Sequence, residues 1–573
     1  MVVESPVKAK HLQVMLGSGW HVVSTRGRLF DLPESRLGVL VEEGFKPEWC
    51  VVQGKEDVVG ELVRAAQHAR QFVLATDPDR EGEAIAWSVL EVVRGVLPRS
   101  CEVKRVLLYE LTPQAVERAL REPRALDLRL VAAAHARRVL DRLVGYVLSP
   151  YVAELVGERS VSVGRVQSYA LGLINELQKE LRLKGWRVVL RYGLLRSVGA
   201  APAGVVLEVK HAFSSKRAAE KAAGVYLTQP AVIEVRPGQR TRFQPPPPFK
   251  TSTFLAEASR RGFSASYAMS LLQRLYERGY LTYVRTDSCR VSEQGELLAK
   301  VELKRLFDLD QLVRRQWEEG MWEQGAHECL RPTGLYPFGL SGHERAVYEL
   351  VRVRFLASFM PDAYAVPVIL RARMPDGLLA EGEGLVVEDV VEEGFWRLVG
   401  LPESVFSPFV GRMLMQTARI EARPQEVEVV EPERPTEAHV IERMEFQGVG
   451  RPGTYAEVVS SLRERGYVST DDDGGCALTK LGSKVLSVIE KRFPFLLDPE
   501  FTAWMEEALD RLAAGKDSYW RVCCAVWNKL ATALEPSAMK KGPRKGKSAE
   551  AVEESVQRCQ RQDEGQQEVR HGL

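Results

Sequence analysis

Residues 77–83 read Asp-Pro-Asp-Arg-Glu-Gly-Glu and directly follow an apolar run, Phe72-Val73-Leu74-Ala75. Asp77, Asp79 and Glu81 stand at alternate positions. Carboxylates this close repel unless a cation lies among them, and an all-oxygen donor set suits Mg²⁺ held together with waters and phosphate. Those residues have the makings of a metal-assisted phosphoryl site. The same carboxylates could instead form a solvated acidic turn capping the helix that begins near Gly82, because acids are favoured at helix N-termini. Arg80 inside the acidic run favours the metal reading, as does a further acid, Glu4, placed just after the short apolar strand Val2-Val3.

A second candidate lies at Tyr280-Leu281-Thr282-Tyr283-Val284-Arg285-Thr286-Asp287-Ser288. A phenol with an ordinary pKa of about 10 is a poor nucleophile at neutral pH and needs a neighbouring cation or base. If the segment is a strand, Arg285 projects from the same face as Tyr283. A Tyr-x-Arg pair in a strand is also common as packing plus a surface ion pair, which contributes little.

These side chains need a scaffold. Strand, acidic loop and helix in that order mark residues 1–125 as an α/β unit with a parallel sheet, whose chemistry sits at strand C-terminal ends. From Leu126 to about Lys184 the pattern is helical and basic, with Arg137, Arg138, Arg142 and Arg165 among apolar residues. β-Branched text at about 185–248 returns at about 364–435 and predicts one β-rich domain built from two segments. The run Pro245–Pro248 forms its exit, since consecutive prolines cannot join a sheet ladder. A helical insertion, 249–363, lies between. LLQRLYERGYLTY (271–283) and VVSSLRERGYVST (458–470) echo one another. Each reads as a helix ending in Glu-Arg-Gly-Tyr with a glycine C-cap, then a β-prone segment, as in a winged helix-turn-helix.

The chain has 573 residues, a prior of about four domains. Hydrophobic residues make up 45% and charged residues 27%, which excludes a mainly disordered, collagenous or fibrous protein. A net charge of +2 means that affinity for a polyanion must come from local basic patches. No apolar run approaches the ~18 residues of a membrane span, and MVVESPVKAK is not a secretory signal. A cytoplasmic location is expected. The eight cysteines include no Cys-x-x-Cys, so free thiols are expected in place of a zinc ribbon or disulfide scaffold. Residues 536–573, with Lys540, Lys541, Arg544, Lys545 and Lys547, read as a basic disordered tail.

Up to about residue 530 the sequence resembles the type IA DNA topoisomerases, motif by motif and in the family's order. Glu4, Ser5, Pro6 and Lys8 resemble the opening of the family's Toprim domain, and Asp77, Asp79 and Glu81 its metal-binding triad. Arg137, Arg138 and Asp141 in HARRVLDRLVGY, and Gly164, Arg165 and Gln167 in SVGRVQS, match two DNA-binding motifs. Gln273, Tyr276, Glu277 and Tyr283 match the active-site tyrosine region. His327, Glu328 and Arg331 in AHECLRPT, and Arg451, Pro452, Thr454 and Tyr455 in VGRPGTYAEVV, match two more. The resemblance implies a multidomain α/β plus α+β toroid. Its parts would be a Toprim domain (1–125), a helical DNA-binding domain (126–184 with 436–535), a β-rich arch (185–248 with 364–435) and a tyrosine domain (249–363), with winged-helix-like elements.

It also implies a reaction. Tyr283 would form a 5′-phosphotyrosine bond with single-stranded DNA, a second strand would pass, and the 3′-hydroxyl would reseal the break, relaxing negatively supercoiled DNA without ATP. Arg285 would stabilise the phosphate's developing charge, Glu4 would protonate the leaving oxygen, Lys8 would support that transfer or contact the phosphate, and Mg²⁺ on the triad would align the ends. A monomer is expected. LFDLP, TYVRTDSCRVS and AHECLRPT are worded like the topoisomerase half of reverse gyrase, so the alternative is a subunit needing a separate ATP-driven helicase-like partner. GPRKGKS at 542–548 is not a phosphate loop, because Lys541 stands where the glycine is required. Three departures stand out. Met1 lies three residues before Glu4, so the first strand is clipped to almost nothing, as if severed from an upstream portion. Gly27-Arg28 replaces the family's usual Gly-His. Gly453 stands where a serine is common.

Overall fold

The computed structural model describes residues 1–193, 204–317, 328–386, 393–405, 414, 416 and 418–534. His327 and the basic tail at 536–573 lie outside the described residues.

Val2–Val3 is only two residues long, yet it lies inside a parallel four-stranded sheet between Val23–Ser24 and Gln71–Leu74, with Glu102–Arg105 at the edge. Val3, Val73 and Ala75 are fully buried, so the sheet centre is fixed by apolar burial and the polar residues at the strand C-termini are left facing the crevice. Glu4 and Asp77 follow neighbouring strands for this reason. Two capped helices start there. Ser5 accepts from the amides of Val7 (3.1 Å) and Lys8 (3.4 Å) at the head of Pro6–Leu16, with proline in the first turn. Asp79 accepts from Gly82 N–H at 2.7 Å at the head of Arg80–Val93.

Arg187–Gly193, Gly204–Val209, Ala231–Pro237 and Thr241–Phe243 join Ala363–Arg373, Leu379–Val386, Arg419–Ala422 and Glu426–Val430 in one antiparallel sheet. Its core, around Leu190, Leu207, Ile233 and Leu370, is separate from the main one. The main core joins the first strands, the long helix Leu128–Val156, the helix Arg165–Leu183 and the C-terminal helices Pro499–Ala513 and Tyr519–Ala533.

The echo in the sequence is larger than its text. Thr251–Arg260 and Ala265–Glu277 form one helix pair, Glu437–Phe446 and Pro452–Glu464 another. First helix packs on first helix and second on second. Gly262, Gly279, Gly448 and Gly466 end the four helices with φ between +69° and +83°. In each case the next amide reaches back to a carbonyl five residues earlier, Tyr280 to Leu275 and Tyr467 to Leu462 at 2.9 Å each. Only the second pair completes a wing: Val468–Thr470 pairs with Cys476–Leu478. After the first pair, the expected strand is an extended segment with a single bridge, Leu281 to Pro332. Side chains take the hydrogen bonds that a neighbouring strand would supply. Thr251 Oγ1 donates to Val284 O at 2.7 Å and accepts from Thr286 N–H at 2.8 Å, while Thr282 Oγ1 accepts from Arg331 N–H at 3.0 Å.

The two glycine caps separate backbone strain from crowding. A Cβ on Gly466 meets nothing within 4 Å, whereas on Gly279 it meets Leu111 O at 2.5 Å. Gly466→Ala should therefore cost about 1 kcal/mol, the left-handed backbone penalty alone. Gly279→Ala should lower the melting temperature clearly more in parallel calorimetric scans.

Candidate active site

Glu4, Lys8, Asp77 and Tyr283 form the floor of the crevice. Lys8, 1% exposed, donates to Asp77 Oδ1 at 2.9 Å, and Glu4 Oε2 accepts from Asp77 N–H at 2.8 Å. Burial, then the neighbouring Asp77 charge, pushes the Glu4 carboxyl well above its ordinary range. Lys8 also lies 5.6 Å above the Tyr276 ring, which packs edge-on against Tyr283 at 5.3 Å.

Tyr283, 3% exposed, donates from its hydroxyl to Asp79 Oδ2 at 2.6 Å, and Arg285 Nη1 donates to the same oxygen at 3.1 Å. Tyrosine and arginine thus converge on one carboxylate oxygen. Burial raises the Asp79 carboxyl, but Arg285, Tyr283 and the Gly82 amide outweigh it and hold the group below the usual carboxylate range. Burial, with Asp79 and Asp77 close by, pushes the Tyr283 phenol well above its ordinary value, and Arg285 opposes this. Tyr283 is thus buried, with its hydroxyl bonded to Asp79. Its backbone is sealed as well: Tyr283 N–H donates to Tyr109 O at 2.7 Å, and Tyr276 Oη to Leu108 O at 2.6 Å.

Glu81 reaches outward, accepting from Arg28 Nε at 2.8 Å with Arg285 at 3.7 Å. The donors Asp77, Asp79 and Glu81 are hard oxygens that suit Mg²⁺. Among the described residues no three acidic side chains converge as a cage, since each is engaged by a cationic side chain. Mg²⁺ needs no such cage, because it keeps waters and uses one or two carboxylates plus substrate phosphate. The residues present fit the ion.

Above the triad opens a cavity of about 420 Å³ whose wall includes Asp79, Glu81, Arg138, Asp141, Arg285 and Thr454, with Arg137 and Arg451 also on it. Residue 453 lies against Arg285, where a Cβ would sit 3.8 Å from the arginine Cδ. His135 stands between Trp49 and Trp87, at 4.6 and 4.7 Å, and burial lowers its pKa to about 4, so this part of the wall is uncharged. The arginines are already paired. Arg138 forks onto Asp31 at 2.6 and 2.9 Å, and Arg137 donates to Thr454 Oγ1 at 3.3 Å.

Arg165 does not line the cavity. It is buried, donating to Glu506 at 2.7 Å and Asp141 at 3.3 Å, so it cannot touch a strand until those bonds open. Gln167 instead accepts from Arg465 at 2.8 Å. Gln273 donates to Glu277 at 3.1 Å on the helix behind the tyrosine. Arg331 is buried and held by Glu328 (2.7 Å) and Glu110 (3.0 Å), beneath the tyrosine segment. These four positions support the site from behind.

Residues that the motifs did not point to hold the site together. Glu506, 0% exposed, faces Arg165 at 2.7 Å and Arg137 at 3.8 Å, and Asp510 one turn later takes Arg451 at 2.7 Å and also Arg80 from the acidic loop. Arg105 donates to Glu83 and to the carbonyls of Thr76 and Asp77 at 2.8 Å each, stitching the loop to its sheet. The available signal was a glutamate at i and an aspartate at i+4 on one helix face, which is also the pattern of an ordinary solvated helix.

The parallel Toprim-type sheet, the acidic loop, and Tyr283 and Arg285 converging on Asp79 together define a type IA DNA topoisomerase. A DNA topoisomerase family model matches residues 125–523 and a Toprim domain model residues 1–111. DNA topoisomerase 1 of Aquifex aeolicus is 34% identical over 92% of this chain and 98% of its own length, and that of Thermotoga maritima 33% over 90% and 82%. The crystal structure of full-length topoisomerase I from Thermotoga maritima superposes with a TM-score of 0.71 at 31% identity, covering 93% of this chain and 90% of that one. The chain therefore belongs to the type IA DNA topoisomerase family. The wording resemblance to reverse gyrase is not supported, since these relatives are named plain topoisomerase 1. No helix among the described residues is long and apolar enough to cross a membrane.

Burial raises the Glu506 carboxyl, but Arg137, Arg165 and Arg451 outweigh it and hold it far below its ordinary value. A depressed acid gives stability that is present above its unfolded pKa of about 4.3 and lost as pH falls through the folded one. Glu506→Gln should cost about 3 kcal/mol near neutrality by stranding buried arginines. Its deficit in melting temperature against the parent should shrink as pH is lowered below about 4.3.

Proposed function

We propose that Tyr283 cleaves one strand of single-stranded or negatively supercoiled DNA and keeps the bond energy as a 5′-phosphotyrosine ester, so relaxation needs no ATP and no helicase-like partner. The observation carrying this reading is the convergence of Tyr283 and Arg285 on Asp79 beside the buried Glu4–Asp77–Lys8 group. A phosphodiester entering between Tyr283 and Asp79 takes the place of that carboxylate. Arg285 then faces the phosphate and stabilises its developing charge. As the Tyr283 oxygen bonds to phosphorus, its proton passes to solvent water in the open cavity. The P–O3′ bond breaks, and Glu4 gives its proton to the leaving 3′-oxygen, with Lys8 holding Asp77 beneath it. Asp77, Asp79 and Glu81 would hold Mg²⁺, which supplies charge neutralisation and alignment of the ends when bound. Each cavity arginine exchanges a carboxylate for a phosphate oxygen, a swap that a guanidinium makes with little change of geometry. We read the protein as a cytoplasmic monomer.

Tyr283→Phe removes one hydroxyl and leaves the ring and the arginines. It should abolish the denaturant-resistant DNA adduct and relaxation while binding to a single-stranded oligonucleotide stays within about twofold. An adduct surviving in this variant would overturn the assignment.

Arg138 and Arg165 should behave differently. Arg138→Ala, at the cavity wall, should flatten the slope of log K against log salt for a single strand by about 0.7. Arg165→Ala, which opens a buried ion pair, should lower the melting temperature and leave the slope unchanged. Titrations of a short single strand over a salt series, with the duplex for comparison, make the check.

A further inference from the structure

Lys8, Arg285 and Arg28 engage the three carboxylates of the acidic loop, Lys8 at 2.9 Å from Asp77, Arg285 at 3.1 Å from Asp79 and 3.7 Å from Glu81, and Arg28 nearest Glu81 at 2.8 Å. Lys8 is buried and Arg285 lies in the seam with Tyr283. Arg28, its side chain 44% exposed, lines the cavity as Arg285 does at 35% exposed, but it stands on the loop after Gly27 and not on the tyrosine segment.

The fold holds Arg28 over Glu81. Gly27, with φ +95°, donates its amide to Glu4 O at 3.2 Å, and Arg26 before it is also left-handed at φ +55°. Leu29 after it is fully buried, and its carbonyl accepts from Val52 N–H at 2.9 Å. Residue 28 is therefore pinned on both sides, on the loop tied to the strand that carries Glu4. A histidine here would bring a group that is mostly neutral at pH 7; arginine brings a permanent charge.

We propose that Arg28 is a built-in counter-cation that competes with Mg²⁺ for Glu81, so that the free protein binds the ion weakly and DNA strengthens that binding by drawing Arg28 onto a backbone phosphate. The inference rests on reading Asp77, Asp79 and Glu81 as the metal site. A fixed positive charge beside a divalent ion is repulsive, and it occupies an oxygen that the ion would use. Guanidinium prefers the fork geometry of a phosphate, which gives it somewhere to go when a strand fills the cavity. By linkage, whatever DNA adds to Mg²⁺ affinity, Mg²⁺ adds to DNA affinity.

MgCl₂ titrated calorimetrically into the chelator-treated full chain, without DNA, tests this independently of turnover. Arg28→Ala should bind Mg²⁺ about five- to tenfold more tightly than the parent, Arg28→Lys should stay near the parent, and in a Glu81→Gln background Arg28→Ala should change nothing. A ~20-mer single strand should tighten Mg²⁺ binding to the parent more than to Arg28→Ala. Unchanged or weaker binding in Arg28→Ala overturns the proposal, as does equal tightening in Arg28→Lys. Asp77→Asn with Asp79→Asn separates the two failures. If that pair leaves Mg²⁺ affinity unaltered, the metal-site reading itself fails; if it weakens binding while Arg28→Ala has no effect, only the role of Arg28 does.

Discussion

One carboxylate, Asp79, holds the active site shut. Its Oδ1 caps the helix Arg80–Val93 through Gly82 N–H, and its Oδ2 takes the Tyr283 hydroxyl and the Arg285 guanidinium. A helix cap contributes about 1 kcal/mol, and charge-assisted bonds are stronger than neutral ones. The three bonds therefore tie the geometry of the acidic loop to that of the nucleophile. Against its burial, Asp79 is held low chiefly by Arg285, and Tyr283 is held high chiefly by its own burial, with Asp79 beside it.

The seam extends beyond Asp79. The Tyr283 amide bonded to Tyr109 O and the Tyr276 hydroxyl bonded to Leu108 O close it on the Toprim side. On the other side the mirrored helices Thr251–Arg260 and Glu437–Phe446 pack together, with Lys250 and Ser252 reaching Glu445 at 2.8 and 2.6 Å and Arg260 pairing with Glu442. On the proposed reading, a strand enters between Tyr283 and Asp79 as the tyrosine segment parts from these neighbours. Glu506 and Asp510 then become important, because they keep Arg137, Arg165, Arg451 and Arg80 in place while the seam is open.

Short-range chemistry was legible in the sequence, and long-range pairing was not. Asp77, Asp79, Glu81 and the Tyr283–Arg285 pair announced themselves by spacing, and the Glu-Arg-Gly-Tyr echo announced the glycine caps. Those signals act over a few residues, where backbone geometry fixes direction. Nothing in the text around Arg165 says that its partner is Glu506, 341 residues away, since either residue alone reads as a solvated charge. Burial decides this, and burial is a property of the whole core. The tyrosine segment misled for a related reason: its β-prone residues are extended, but threonine hydroxyls replace the neighbouring strand. Arg28 was legible as a departure from the family's Gly-His; that it lands on Glu81 was not.

The central claim, that the seam must open before the nucleophile meets DNA, can be put to one direct test. Arg260 and Glu442 form an exposed pair across the mirrored helices and lie away from the chemistry. Cysteines at both positions, in a Cys50→Ser, Cys101→Ser, Cys559→Ser background, can be joined by a short reducible thiol crosslinker and the protein assayed for covalent capture of a single-stranded oligonucleotide. The account predicts that the locked protein forms no adduct and that reduction restores it. A locked protein that captures DNA as fast as the reduced one would contradict it.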